Sequence, residues 1–371
     1  MPSRWFSWTR VLAPALALAA WAGQATSIGA QNGPSSTPRA ELTSAPLLRL
    51  SGEVDSNSPA VWDRIGGRNF LFVMTSMAGR PHRASGRNLA TLGAAREITL
   101  EPWPGGGVWM EAVVRDVDGV WYGYYHNEIP ANMCGLTDKV IPRIGAARST
   151  DRGLTWTDLG IVLEAPPRSY ACSSENVYNV GGVGDFTVQL DFDSRDLYFF
   201  FSAYLRSAMS QGVGVARLAW ADRDAPTGKI TVWRNGAWLP ATAVGRGNAD
   251  RWIYPATSPI FPAAESWHDA DAVVDAYWGP SIHWNTYLSQ YVMLLNRAKD
   301  VEYNQEGIYV SFSPTLTDPR RWSPPARILS RGRWYPQVLG LDDGSGTDKT
   351  AGEWARFYMM GTSQHFIRFN R

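Results

Sequence analysis

Five times along the chain, a short strand opening on proline or another small or acidic residue is followed by a tight turn and a strand of aromatic or apolar residues. "SPAVWD" precedes "FLFVMTS", "MEAVVRD" precedes "WYGYYHN", "DFTVQLD" precedes "LYFFFSA", "PSIHWN" precedes "YVMLLNR", and "PQVLGLD" precedes "ARFYMMG". The repeats start near Pro59, Glu111, Phe186, Pro280 and Pro336, about 69 residues apart on average. The stretches that follow them, such as "RIGAARSTDRGLTWTDLG" and "EGIYVSFSPTLTDPRRWSPPARIL", each read as strand, turn, strand. A unit of this length holds four strands and their loops, and it buries its faces only by packing against the next unit.

Radial repetition of four-stranded sheets is the solution that leaves few open edges. The sequence therefore predicts an all-β fold, a five-bladed β-propeller, over residues 46–371. The last repeat ends at "QHFIRFNR" with room for about three strands, so "LLRLSG" at 47–52 is read as the outer strand that closes the ring. Eighteen Trp, 15 Tyr and 13 Phe beside 35 Gly and 24 Pro fit short aromatic strands joined by tight turns. A β-sandwich of similar strands is the alternative architecture.

Arg4 and Arg10 flank the start of the apolar run "VLAPALALAAWAG", and small residues allow cleavage after Ala25 or Ala30. Residues 1–25 read as a signal peptide and 26–45 as a flexible linker, so the protein is expected to be secreted or periplasmic. The run is too short for a stable membrane span. Without residues 1–25 the formal charge is −1, and with no basic block nucleic acid is not an expected partner.

In a propeller the starts of first strands, the ends of second strands and the loops after them share one face. The long polar loops "MAGRPHRASGRN", "HNEIPANMCGLTDKVIP", "LRSAMSQ" and "NRAKDVEYNQE" fall there, and long loops on one rim of a rigid scaffold are where function concentrates. Segment 240–277 emerges on the same face and is expected to wall the pocket. Cys134 and Cys172 also belong to it and are expected to form a disulfide. The five His show no close ligand spacing, which speaks against zinc. Three acids open successive blades: Asp55 in "EVDSNSPAVW", Glu111 in "WMEAVV" and Asp185 in "GGVGDFTV". Paired carboxyl groups of unlike pKa are the machinery of glycoside hydrolysis. Glu175 and Glu306 could join them, and His126, Trp278, His283, Asn285, Arg297, Tyr335 and Gln337 could bond hydroxyls or stack on a sugar.

"STDRGLTW" at 149–156 matches the Asp box, a hairpin motif of sialidases and other β-propellers, whose Asp, Gly and Trp are turn chemistry rather than catalysis. Together with five repeats and an acid at each of the first three, the chain resembles the five-bladed propeller glycosidases, the group of arabinanases, β-xylosidases and α-L-arabinofuranosidases. That resemblance implies a glycoside hydrolase with Asp55 as general base, Glu111 as the acid that tunes pKa and orients substrate, and Asp185 as general acid. The chain departs from the group's pattern in having Ser58-Pro59 in place of Asp-Pro, and in exchanging Asp and Glu at the second and third positions.

Two other readings stay open: a sialidase-like enzyme, which needs six blades and an Arg cluster, and a propeller that binds carbohydrate without cleaving it. A carbohydrate substrate, a monomer and no cofactor are expected, with a structural calcium or other ion left open.

Overall fold

The fold is that of a computed structural model, which describes residues 37–371 apart from 192, 246–250, 265 and 272–273. The expected signal peptide and most of the expected linker lie outside the described residues. Five blades follow one another along the chain, each built on an antiparallel meander of four strands whose innermost is given first; three of them carry one or two further strands, and Thr242–Val244 pairs with Arg251–Ile253 as a separate two-stranded sheet. Blade one comprises Ala60–Ile65, Arg68–Met77, Arg80–Gly86 and Arg96–Glu97. Blade two comprises Gly107–Arg115, Trp121–Pro130, Val140–Ser149 and Thr155–Leu163, with Thr99–Glu101 added in parallel at its outer edge. Blade three begins with Val183–Asp191 and Asp196–Tyr204, and blade four with Ala276–Asn285 and Gln290–Ala298. Blade five has Pro336–Gly340, Trp354–Met359 and Thr362–Asn370.

The outermost strand of blade five comes from the other end of the domain. Arg39–Arg49 pairs antiparallel with Thr362–Asn370, from Arg39 opposite Asn370 to Arg49 opposite Thr362. The ring is thus closed by strand 39–49, which begins inside the segment read as linker; Leu42 packs against the apolar cluster between blades four and five, which is why the pairing extends that far. The stretch "MAGRPHRASGRN" is a second departure. Ala78 and Gly79, both at positive φ, turn the chain at once, and Arg80–Gly86 is the third strand of blade one rather than a loop.

The core is divided as the repeat requires. One apolar cluster lies at each of the five blade junctions, for example Phe72, Met110 and Trp121 between blades one and two, and Tyr124, Phe186 and Phe199 between two and three. The turn at 149–156 stands on the outer hairpin of blade two and packs only Trp156 into the cluster between blades one and two. Asp151 accepts the Leu154 and Thr155 N–H groups at 3.0 and 2.9 Å, and Trp156 caps the turn by donating to the Gly153 carbonyl at 3.0 Å. No helix among the described residues is long and apolar enough to cross a membrane.

Candidate active site

On the face where second strands end, the inner strands of blades two, three and four are each irregular at one place. Pairing slips between Met110 and Ala112, between Gly184 and Phe186, and between Trp278 and Ser281. Such bulges re-aim side chains that a regular ladder would bury between blades. Two of them carry acids, Glu111 and Asp185, the latter with a positive φ of 40°. The residues around the slips line one cavity of about 130 Å³, together with Asp55, which lies in the segment leading into blade one.

Hydrogen bonds across blade boundaries lock these acids. Glu111 Oε2 of blade two accepts the N–H of Phe186 of blade three at 2.5 Å. His126, from the second strand of blade two, accepts the Asp185 N–H on Nδ1 at 3.0 Å, and its Nε2 lies 3.2 Å from Glu128 Oε1. Asp185 Oδ1 accepts the Tyr335 hydroxyl at 3.0 Å, and Oδ2 accepts the Tyr204 hydroxyl. The last contact links blade three to itself and the previous one links it to blade five. Two polar atoms of lining residues, Glu111 Oε1 and Trp278 Nε1, are buried without a protein partner. They are unused acceptor and donor capacity in residues of the cavity wall.

Burial sets the protonation of the acids. It pushes the Asp55 carboxyl up to about 6, with the negative charges of Asp185 and Glu128 adding to the effect. Glu111 is raised well above the ordinary carboxylate range by burial, against the pull of His126. Asp185 is also raised by burial, while His126 and the Tyr204 and Tyr335 hydroxyls hold it back. For His126 two influences conflict. Burial opposes a charged ring, but the Glu128 hydrogen bond and the charges of Asp185, Glu128 and Glu111 outweigh it and carry its pKa up to about 10. Yet the Asp185 N–H needs a lone pair on Nδ1, which assigns the proton of the neutral ring to Nε2. A second proton on Nδ1 would face Glu111 Oε1 at 3.6 Å and Asp185 Oδ1 at 3.7 Å. The upward direction follows from the carboxyl groups that surround the ring.

Aromatic rings form the walls. Trp109 meets His126 edge to face at 5.5 Å, and Trp278 meets Tyr303 and Tyr335 at 5.1 and 5.7 Å. Tyr178 and Asn179 reach the cavity from the segment before blade three, which the Cys134–Cys172 disulfide pins to the loop after Trp121–Pro130, with Cα atoms 5.1 Å apart. Asn179 donates to the Tyr303 hydroxyl at 2.9 Å.

Of the residues singled out in the sequence, Asp55, Glu111, Asp185, His126, Trp278 and Tyr335 line the cavity. The other six do not. Glu175 is exposed and accepts the Ala270 N–H at 2.8 Å. His283 and Asn285 lie at the far end of the inner strand of blade four: His283 is buried against Phe369, and Asn285 caps a turn by accepting the Leu288 N–H at 2.9 Å. Arg297 is held by Asp275 at 2.6 and 2.7 Å, and Glu306 by Arg327 and Tyr309 at 2.5 Å. Gln337 clamps blade five to blade one, accepting the Ser58 N–H at 2.6 Å and donating to its carbonyl at 3.1 Å. Segment 240–277 supplies no lining residue among those described; its Trp267 backs the wall by stacking on Tyr303 at 5.1 Å. Conversely, Glu128, Trp109, Tyr178, Tyr204, Tyr303 and Trp334 are cavity residues that the sequence reading passed over.

Glu111, His126 and Asp185 offer three ligand atoms within 4.8 Å of one another, a grouping able to hold a cation. His126 Nδ1 and Glu111 Oε2 are already engaged by backbone N–H groups, so only Glu111 Oε1 is ready to ligate without rearrangement.

No family model matches this chain, and no curated protein matches it. Among solved structures it is similar to a thermostable family-43 glycoside hydrolase, at 14% identity and a TM-score of 0.48 over 88% of this chain and 92% of that one. It is similar to the endo-arabinase of Bacteroides thetaiotaomicron VPI-5482, at 10% identity and a TM-score of 0.48 over 86% and 97% of the two chains. It is also similar to the catalytic domain of the Coprinopsis cinerea GH62 α-L-arabinofuranosidase, at 10% identity and a TM-score of 0.44 over 90% and 97%. Likeness at this level decides nothing about chemistry, which has to be read from the cavity itself.

Proposed function

We propose that this chain is a glycoside hydrolase that acts on a polysaccharide or oligosaccharide by carboxyl acid and base catalysis. The observation that carries this reading is the convergence of Asp55, Glu111 and Asp185, from the openings of three successive blades, on one buried cavity. Their surroundings differ in the way the chemistry needs. Asp55, half-buried with a pKa of about 6, is ionised above that pH and suits the general base. Asp185, raised by burial and approached by two Tyr hydroxyls, suits the proton donor. Glu111 lies too near Asp185, with carboxyl oxygens inside 4.8 Å, to leave the water-sized gap of an inverting pair, and so tunes its neighbour's proton and orients substrate. His126 and Glu128 position Asp185 through its backbone.

No Arg or Lys lines the cavity among the described residues, which weighs against a sialidase-like enzyme with its cluster of arginines. The disulfide favours an oxidising compartment, in keeping with a secreted or periplasmic protein. Release of reducing sugar from arabinan, xylan and related polysaccharides by wild type, and its loss in Asp55→Asn and Asp185→Asn, tests the proposal. Binding of these glycans with no release by any form would reduce the protein to a non-catalytic carbohydrate-binding propeller.

A further inference from the structure

The shape of the cavity says where on a sugar chain it can act. An enzyme that cuts within a chain needs a groove open at both ends, whereas one that trims chain ends needs a pocket with a floor and a closed side. The floor is present. Asn57 donates from its side chain to the Phe186 carbonyl of blade three at 2.9 Å and to the Pro280 carbonyl of blade four at 3.0 Å, so the segment carrying Asp55 lies across the top of the channel. Deeper along the axis, Lys349 donates to Thr187 of blade three at 2.7 Å.

One side is closed as well. Tyr178, from the connection into blade three, meets Trp334, from the connection into blade five, edge to face at 5.9 Å, and meets Tyr303 of blade four at 5.5 Å. Trp334 is fixed in turn by donating to the Tyr303 carbonyl at 2.9 Å. These rings bridge the rim over blades three to five and close that side of the cavity. The cavity of about 130 Å³ is roughly ten times the ~10–15 Å³ that one water needs, room for a sugar ring beside the acids. Its charge is equally selective. Asp55, Glu111, Glu128 and Asp185 line it with no Arg or Lys among the described residues, and the ring nitrogens of His126, the one lining base, are already enclosed by Glu111, Glu128 and Asp185, so a sugar bearing a carboxylate finds no cation free to pair with it.

We propose that the cavity takes the single terminal residue of a chain, that this residue carries no carboxylate, and that cleavage therefore proceeds from a chain end. This rests on the glycoside hydrolase reading and narrows it. Tyr178 and Trp334 are the specificity-determining pair, because they close the side through which an internal residue would have to pass.

The test is the product profile on linear arabinan, xylan and β-1,3-galactan, followed with time, alongside aryl glycosides of L-arabinose, D-xylose, D-galactose and D-galacturonic acid. Monosaccharide as the sole early product, a slow fall in viscosity and no turnover of the galacturonide are expected. Tyr178→Ala should lower kcat/KM on the preferred aryl glycoside by about tenfold through the lost aromatic contact. A ladder of oligosaccharides with a rapid fall in viscosity would overturn the inference and leave the hydrolase reading standing. If no substrate is cleaved, the hydrolase reading fails, and saturation-transfer NMR with the free monosaccharides and xylotetraose decides the pocket separately. Binding of a neutral monosaccharide, displaced in the Tyr178→Ala variant, supports a single-residue pocket; binding of xylotetraose alone, or of galacturonate, overturns it.

Discussion

The backbone N–H of Asp185 donates to His126 Nδ1 at 3.0 Å, so an acid on blade three is placed by an imidazole on blade two. The contact depends on Gly184, where an added Cβ would come within 2.5 Å of His126 Cε1 and 2.6 Å of Nδ1. Gly184→Ala should therefore push the ring away from Asp185 while leaving the aromatic core intact. The expected result is a fall in kcat of roughly 10²-fold, as for misplacing a proton-transfer group, with near-native circular dichroism.

Asp55→Asn and Asp185→Asn should each lower turnover by roughly 10²–10⁴-fold on a substrate the wild type cleaves, because the isosteric amide keeps the shape and loses the proton chemistry. Steady-state kinetics with matched thermal melts check this. A fall in activity together with a collapse of the melt would assign the residue to the fold instead.

Asp55 also makes a prediction about pH. Its carboxyl titrates near 6 in the folded chain against an ordinary value of 3.8, so the native state binds that proton more tightly than the unfolded state does. Stability is then lost as pH rises through the window from about 4 to about 6, by at most about 3 kcal/mol from this group. Glu111 and Asp185, also raised, act in the same direction. Urea midpoints measured at pH 4, 5, 6 and 7 should fall across this window, and the Asp55→Asn variant should show a shallower fall and a higher midpoint at pH 7. In the wild type the acid limb of kcat/KM should lie near 6, where the base ionises.

Gln337→Leu should destabilise the domain by about 2–3 kcal/mol, since it leaves both the N–H and the carbonyl of Ser58 buried without partners. Chemical denaturation measures the loss. A change below about 0.5 kcal/mol would mean that apolar contact and the Ala60–Asp348 and Trp62–Gly346 hydrogen bonds suffice to hold blades one and five together.

Replacing Cys134 and Cys172 by Ser removes a link across 38 residues and should cost about 3–4 kcal/mol of stability. Tyr178 and Asn179 lie just beyond Cys172, so KM should rise more than kcat falls. Melting curves and kinetics of the double variant, compared with the wild type, check both.

The blades were legible because their signal is local. "LYFFFSA" or "WYGYYHN" can bury so many rings only as a strand between two neighbours, and the acids Glu111 and Asp185 stand at fixed places in the repeat. The residues that were missed owe their place to ring closure. Trp334 and Tyr178 are separated by two blades and meet only because the disc curves, and Glu128 takes its place from His126, two residues before it on the same strand, with nothing in the repeat to mark it. The misassigned residues failed for a different reason. Arg297 and Glu306 have the chemistry to bind sugar, but the same chemistry pairs them with Asp275 and Arg327. His283 and Asn285 share a strand with Trp278, yet at about 3.3 Å per residue five positions carry the chain roughly 17 Å, from the cavity face towards the opposite one. Residue type reveals competence for chemistry; position along the axis decides whether it is used.

Strand 39–49 leaves the ribosome long before its partner, strand 362–370, exists. Until residues 362–370 are made, blade five lacks its outer edge and the facing apolar surfaces of blades one and five stay uncovered. The ring is therefore a timing device: four blades can gather in order as the chain emerges, but the seam between first and last closes only once residues 362–370 have been made. Ring closure over so long a separation makes it the slow, non-local step of folding.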